Sequence, residues 1–340
     1  MTKDTRFIRW FSETGVADVP LVGGKNASLG EMYRELEGQG IHVPNGFAVT
    51  AEAYRYTLAQ GDAWQRLQAT MDGLDPSNVD DLTRRAGLAR DIVYGAVLPP
   101  DLAAQILDAY RALVEQYGQQ LTVAVRSSAT AEDLPTASFA GQHEAFLNIA
   151  GEARVLDAVR RCYASLFKER AIMYRIENGF DHFKVFLSAG IMKMVRSDLA
   201  SSGVAFSLDT ESGFRDVVLI NGAYGLGENV VQGTVDPDEF YVFKPTLQMG
   251  RRTVLRRTLG GKEIKMVYAL RWPRHYPQCA DAAAGPGPVL PVGWRSAADC
   301  RRGGAHRSAL QRARRPPDAD GYRMGQGRAG RVALHGAGAP

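Results

Sequence analysis

The chain has 340 residues, 45% of them apolar, with 41 basic and 37 acidic side chains and a formal net charge of +4. This length suffices for about two domains. The sequence has no apolar run long enough for a membrane span and no signal-peptide hydrophobic core after its first residues, so no membrane association is expected. Cys162, Cys279 and Cys300 have neither metal-site nor disulfide spacing, which favours a reducing cytoplasm.

The positive charge is confined to the last fifth of the chain. Residues 271–340 contain 12 Arg, no Lys and 4 Asp, whereas residues 1–270 contain 29 basic and 33 acidic side chains. The first part is therefore net negative, and any binding to nucleic acid would depend on the C-terminal segment alone. We predict no nucleic-acid partner.

A glycine turn that leads into a helix is the first candidate site. Residues 7–11 predict a short strand, and in Val22–Met32 two glycines precede a helical pattern. The N–H groups at a helix N-terminus attract anions, and Lys25 adds a positive charge there. The spacing is not that of a Walker loop. A capped surface helix with a solvated lysine explains the same pattern, so the residues alone leave both interpretations open.

The next segment has the pattern of a scaffold. Val43–Thr50 predicts a turn, a short strand and an N-cap at Thr50, and residues 51–118 are mostly helical in pattern. In residues 101–117 the apolar side chains share one helix face, and Gly118 ends the helix. These side chains are Leu102, Ile106, Ala109, Tyr110 and Leu113.

The central stretch Val123–Asn148 contains the strongest candidate. An apolar run, Leu121–Val125, ends on Arg126 and is followed by many Ser, Thr, Ala and Gly residues. Small side chains leave backbone N–H groups accessible to phosphate, and the arginine supplies a planar fork of donors. An ordinary connection, with Arg126 paired to Glu132 or Asp133, explains the pattern equally well.

The second half of the chain is richer in predicted strands. Residues 152–177 predict one long helix. Strand patterns then follow at four places, which are 183–195, 202–208, 215–221 and 239–244. Between the last two strands, residues 222–233 form a glycine-rich turn that carries Glu228. Turn formation alone explains such glycines. The whole pattern predicts a mixed helix and sheet protein with two sheets.

In combination and in this order, the motifs resemble the N-terminal nucleotide-binding region of the phosphoenolpyruvate synthase (pyruvate, water dikinase) family. The resemblance runs from about residue 7 to Ala269. Its most specific stretches are Arg-Ser-Ser-Ala-Thr-Ala-Glu-Asp-Leu-Pro, Met-Val-Arg-Ser-Asp-Leu-Ala-Ser-Ser-Gly-Val and Val-Asp-Pro-Asp-Glu-Phe-Tyr-Val. Pyruvate phosphate dikinase and rifampicin phosphotransferase have similar motifs and are alternatives of the same class.

The resemblance implies an α+β fold of the ATP-grasp type, in which ATP lies between two subdomains. These are expected at residues 1–180, with a helical insertion, and at residues 181–270, the second being β-rich and incomplete. The family converts pyruvate, ATP and water to phosphoenolpyruvate, AMP and phosphate through a phosphohistidine on a separate domain. A third domain handles pyruvate. Because both domains are missing here, this chain is not expected to turn over alone; a non-catalytic nucleotide-binding fragment is the alternative.

The resemblance also implies roles for individual residues. Lys25 and Arg126 correspond to cations that bind the ATP phosphates, and Gly141 to a loop glycine whose backbone approaches them. Glu228 corresponds to a carboxylate near the nucleotide, although it could instead cap a helix or bridge the subdomains. The family binds Mg²⁺ with ATP, but its metal ligands are missing from this chain, so no metal ligand is predicted.

Three positions depart from the family pattern or fall outside it. Met192 stands where the family usually has a glutamine, which puts one local nucleotide contact in doubt. His143 and His182 do not lie in the family's Thr-x-His-Ala phosphohistidine signature. We therefore expect core or surface roles for both histidines.

The last part of the chain has a different composition. In residues 271–340, 45 of 70 residues are Arg, Ala, Gly or Pro, and no apolar periodicity remains. A disordered basic tail is one interpretation, and translation of a GC-rich gene in a shifted frame is the favoured one. Read one base later, the codons of residues 320–324 permit Met-Asp-Ile-Glu-Trp, and those of 335–340 permit Met-Val-Gln-Ala-Arg-Pro. The family carries these motifs, whose Glu and Gln bind magnesium.

Overall fold

The computed structural model describes residues 7–130 and 144–268, together with the backbone of residues 294–296. These residues form two compact units of helices and antiparallel sheets, which divide between Met194 and Val195. The mixed α+β class agrees with the sequence prediction. The division lies later in the chain than the expected boundary at residue 181, because the strand that precedes it belongs to the sheet of the first unit.

The first unit is built on a five-stranded sheet. Its strands are β1 (Ile8–Trp10), β2 (Gly46–Val49), β3 (Val123–Ala129), β4 (Ala145–Ile149) and β5 (Leu187–Lys193). They pair antiparallel in the order β1-β2-β5-β3-β4. The helices are α1 (Val19–Glu37), α2 (Ala51–Leu58), α3 (Ala63–Met71), α4 (Val79–Gly95), α5 (Pro100–Tyr117), α6 (Glu152–Ala164) and α7 (Glu169–Glu177).

The sheet of the first unit has a different core on each face. Successive strand residues point to opposite faces, so Val125 and Ile191 lie in the large core formed with helices α2 to α7. Ala48 of β2 points the other way and packs against Val22 and Ala27 of α1. Helix α1 therefore covers the face of the sheet opposite the main core.

Local sequence signals correctly position helix α5 and the start of helix α2. The prediction for residues 101–117 is confirmed by α5, because its five predicted apolar side chains are all buried. The predicted N-cap is confirmed too, since Thr50 Oγ1 accepts a hydrogen bond from the Ala53 backbone N–H at 3.4 Å. Within the described residues, no helix combines the length and the apolar content of a membrane span.

The predicted single helix over residues 152–177 is wrong. A 3-10 turn, Ser165–Phe167, and an extended Lys168 separate α6 from α7. The break buries Leu166 and Phe167, and it lets Arg175 Nη1 donate to the Leu166 carbonyl at 2.7 Å. Periodicity alone could not show this break, because both halves keep a helical apolar pattern.

The second unit contains a four-stranded antiparallel sheet in chain order. Its strands are β6 (Ser201–Phe206), β7 (Val217–Tyr224), β8 (Asp238–Phe243) and β9 (Val254–Thr258), and its short helices are α8 (Glu228–Val231) and α9 (Lys244–Gln248). A separate pair joins β10 (Ile264–Met266) to β11 (Trp294–Ser296). The sequence patterns located β6, β7 and β8 but missed β9, whose consecutive arginines interrupt the alternation.

Candidate functional site

Helix α1 is interrupted at Gly23. This residue has φ 76° and ψ 163°, so the chain leaves the helical conformation there and a second helical segment, residues 24–37, begins after it. The predicted glycine turn before a helix is therefore present, with one extra helical turn in front of it. Lys25 lies in the first turn of the second segment and is half-buried, at the end of the segment where the helix dipole is positive.

At the interruption, α1 lies in close contact with strand β3. A Cβ at Gly23 would lie 2.3 Å from Ser128 Oγ and 2.5 Å from the Ser128 carbonyl oxygen. Only glycine combines this backbone conformation with such a close approach. The Asn26 backbone N–H donates to Ser128 Oγ at 3.3 Å. The start of the second helical segment is thus fixed on one strand residue.

Arg126 lies on the same face of the sheet. It is two residues before Ser128 in β3, and strand side chains two residues apart share a face. The apolar run predicted a strand that ends on Arg126, but β3 continues to Ala129, so this half-buried arginine lies within the strand. Arg126 pairs with Gly190 of β5. The fold therefore places Arg126 and the α1 segment that carries Lys25 on one sheet face.

Several small and polar residues of this face were not singled out from the sequence. Asn26 Nδ2 donates to Ser188 Oγ at 3.1 Å and to the Val22 carbonyl at 3.0 Å, and Asn26 Oδ1 would lie 2.1 Å from a Cβ at Gly190. The sequence signal that could have indicated this contact is a serine and a glycine at alternate positions of β5, whose other residues before Lys193 are apolar.

Met192 lies on this face as well. It is two residues beyond Gly190 in β5, opposite Ala124 of β3 and Gly46 of β2. The position at which the sequence departs from the family pattern is therefore on the same sheet face as Arg126. Gly141 and His143 lie outside the described residues.

Glu228 belongs to the second unit. It is the first residue of α8, and its Oε1 accepts a hydrogen bond from Gln232 Nε2 at 2.7 Å. The preceding turn is held by Gly225, whose φ is +86° and whose carbonyl accepts from Ser202 Oγ at 2.7 Å. This geometry is that of a carboxylate in the first turn of a short helix, and the nucleotide role of Glu228 remains a prediction.

Among residues 7–130 and 144–268, no three His, Cys, Asp or Glu side chains are arranged to hold a metal ion. Mg²⁺ that is bound together with phosphates takes only one or two carboxylates from the protein. The expectation about metal ligands therefore stays a prediction.

His182 has a structural contact in the first unit. Its Nδ1 accepts a hydrogen bond from Arg175 Nε at 2.9 Å, and the Arg175 side chain is fully buried. Burial, together with the neighbouring Arg175 charge, lowers the pKa of His182 to about 4. A neutral imidazole that accepts a hydrogen bond from a buried guanidinium is a structural contact, in keeping with the core or surface role expected for this histidine.

Helix α1, with Lys25 in the first turn of the segment that follows Gly23, packs on the sheet face that carries Arg126. The phosphate roles of these two cations remain predictions. The comparison with known families shows that the chain belongs to the family described as pyruvate phosphate dikinase, AMP/ATP-binding domain, whose model matches residues 19–274.

Individual relatives carry the name phosphoenolpyruvate synthase. The chain is 54% identical over 271 residues to the enzyme of Synechocystis, and 53% identical over 271 residues to that of Helicobacter pylori. It is 53% identical over 262 residues to the Escherichia coli enzyme. These matches cover 77–79% of the chain but 33% of each relative. The chain thus spans about a third of the length of these relatives.

Proposed function

We propose that this chain is the ATP-binding part of a phosphoenolpyruvate synthase, with an ATP-grasp fold. The complete enzyme would convert pyruvate, ATP and water to phosphoenolpyruvate, AMP and phosphate through a phosphohistidine. The steps that involve pyruvate and the phosphohistidine would require further domains. Pyruvate would be bound by those domains and not by this chain. The observation that carries the proposal is the common sheet face of Arg126 and the Lys25 helix segment in a chain of this family.

Each cation has a physical reason to bind phosphate. Lys25 adds a full charge to the partial positive charge of a helix N-terminus. Arg126 offers up to five N–H donors in a planar fork that matches phosphate oxygens. Phosphoryl transfer depends mainly on positioning and on neutralising charge, so these two side chains would bind the nucleotide and prepare it for reaction.

The remaining predicted contacts are proposals that follow from the family. The Gly141 backbone would approach the phosphates, and Glu228 would contact the nucleotide. Magnesium would accompany ATP in the complete enzyme, held in part by the phosphate oxygens.

A binding experiment on the 340-residue chain tests the proposal. We expect Arg126→Ala and Lys25→Ala each to weaken ATP binding in calorimetry by about tenfold or more, because one charge-assisted hydrogen bond contributes about 1.5–3 kcal/mol. Arg126→Lys should restore only part of the affinity, because lysine cannot form a bidentate contact. Arg66→Ala removes an exposed arginine of α3 whose Nη1 lies 3.6 Å from Asp62 Oδ1, just before that helix, and should leave ATP affinity unchanged.

An activity measurement separates the possible outcomes. The chain should bind ATP without pyruvate-dependent release of AMP, because it spans about a third of the length of the synthases that it matches. Robust pyruvate-dependent AMP release would contradict the assignment of this chain as the ATP-binding part alone. An ATP affinity that is equal in wild type, Arg126→Ala and Lys25→Ala would contradict the proposed site.

A further inference from the structure

We infer that Asn26 is a positioning residue, which fixes the Lys25 helix segment on the strand face that carries Arg126. This inference rests on the proposed function, because it concerns the same phosphate site. Asn26 itself is 1% exposed, so its side chain is buried beneath the site and acts on ATP through its neighbours.

The hydrogen bonds of Asn26 bridge the interruption of α1. In a continuous helix, the Val22 carbonyl would accept from the backbone N–H four residues later, which belongs to Asn26. Here the Asn26 side chain donates to that carbonyl, with Nδ2 at 3.0 Å, and the backbone N–H donates to Ser128 Oγ instead. One residue therefore holds the two helical segments together across Gly23 while it attaches the second segment to β3.

The same side chain reaches a second strand. Asn26 Nδ2 also donates to Ser188 Oγ in β5 at 3.1 Å, and Ser188 Oγ donates to the Val49 carbonyl of β2 at 2.7 Å. Asn26 is thereby tied to β3 directly, to β5 directly and to β2 through one hydroxyl. Three strands of the sheet set the position of the residue that follows Lys25.

The attachment lies beside Arg126. Asn26 Oδ1 is so close to Gly190 that a Cβ there would be 2.1 Å away, and Gly190 is the residue paired with Arg126 across the β3–β5 ladder. Because Lys25 and Asn26 are adjacent in sequence, fixing Asn26 above Gly190 also fixes the Lys25 backbone relative to Arg126. Displacing a binding group by about 1 Å is enough to weaken its interactions severely.

The test compares ATP with adenosine, which lacks phosphates, on the full chain by calorimetry. Asn26→Ala should lower the affinity for ATP by about tenfold and change the affinity for adenosine by less than about twofold. In a Lys25→Ala background, Asn26→Ala should have little further effect on ATP, because residues that act through one another are not additive. The control is Asn178→Ala, since exposed Asn178 Nδ2 donates to the Tyr174 carbonyl at 2.9 Å, the same kind of bond far along the chain.

Ser188→Ala keeps the test possible if Asn26→Ala does not fold. It removes one partner of Asn26 and should reduce ATP affinity more than adenosine affinity. Two results would show a general structural role and overturn the inference alone. One is an equal loss of affinity for ATP and for adenosine. The other is a full tenfold loss of ATP affinity when Asn26→Ala is added to Lys25→Ala. Wild-type ATP binding no tighter than adenosine binding would overturn the proposed function, and the inference with it.

Discussion

Replacing Gly23 by alanine should destabilise the first unit far more than the same replacement at an open glycine. Gly23 has φ 76° and ψ 163°, a conformation that other residues rarely adopt, and holding a residue there costs about 1–3 kcal/mol. The added Cβ would also lie 2.3–2.6 Å from the Oγ, carbonyl oxygen and carbonyl carbon of Ser128. Two of these three atoms belong to the backbone, so no side-chain rotation can relieve the contact.

Relief would require α1 to move away from β3. Overpacking of this kind typically costs about 1–3 kcal/mol, which gives a total loss of about 4 kcal/mol in the free energy of unfolding for Gly23→Ala. Gly40 is the matched control, because it has φ +80° and no atom lies within 4 Å of the position that its Cβ would take. Gly40→Ala should therefore lose only the conformational part, about 1–3 kcal/mol.

Urea unfolding followed by circular dichroism at helical wavelengths measures both losses. For a domain of this size, each kcal/mol corresponds to about 2–4 °C in Tm, so thermal unfolding should separate the two variants clearly. Equal losses in Gly23→Ala and Gly40→Ala would refute the argument, because they would show that contact between α1 and β3 contributes nothing beyond the glycine conformation.

Three further predictions concern other parts of the chain. The pKa of His182 is lowered to about 4 by burial and by Arg175, whereas a histidine in an unfolded chain has a pKa of about 6.5. Between these two pH values the unfolded state binds one more proton than the folded state. The free energy of unfolding should therefore fall as the pH is lowered from about 6.5 towards 4. In urea titrations His182→Gln should flatten this dependence, and an unchanged slope, or equal flattening by exposed His42→Gln, would contradict it. Burial also raises the pKa of the Cys162 thiol. In a variant whose other cysteines are changed to serine, Cys162 should therefore react with a thiol reagent only as fast as the protein unfolds. Rapid labelling of Cys162 in the folded protein would refute this. Sequencing the gene across codons 260–345 should show that one inserted or deleted base restores the Glu-Trp and Gln-Ala-Arg-Pro motifs, and their absence from every nearby frame would end the frameshift hypothesis.

The elements that could be predicted are those specified by local signals. Helix α5 followed from an apolar stripe and a terminal glycine, and the cap at Thr50 followed from a polar residue before a helix. The expectation that Lys25 and Arg126 bind phosphate came from motifs, and the family comparison supports the class of domain to which those motifs belong. Signals of this kind act over a few residues, so the sequence shows them directly.

The order of amino acids was enough to establish the α+β class, most strands, the helix over residues 101–117 and the family of the chain. The folded structure was needed to show that β5 joins the first sheet, that α1 breaks at Gly23, and that Asn26 ties the break to the strands. The bonds of Asn26 to Ser128 and Ser188 span 102 and 162 positions of sequence. Periodicity and turn chemistry act between near neighbours, whereas these contacts exist only once the sheet has brought distant residues together.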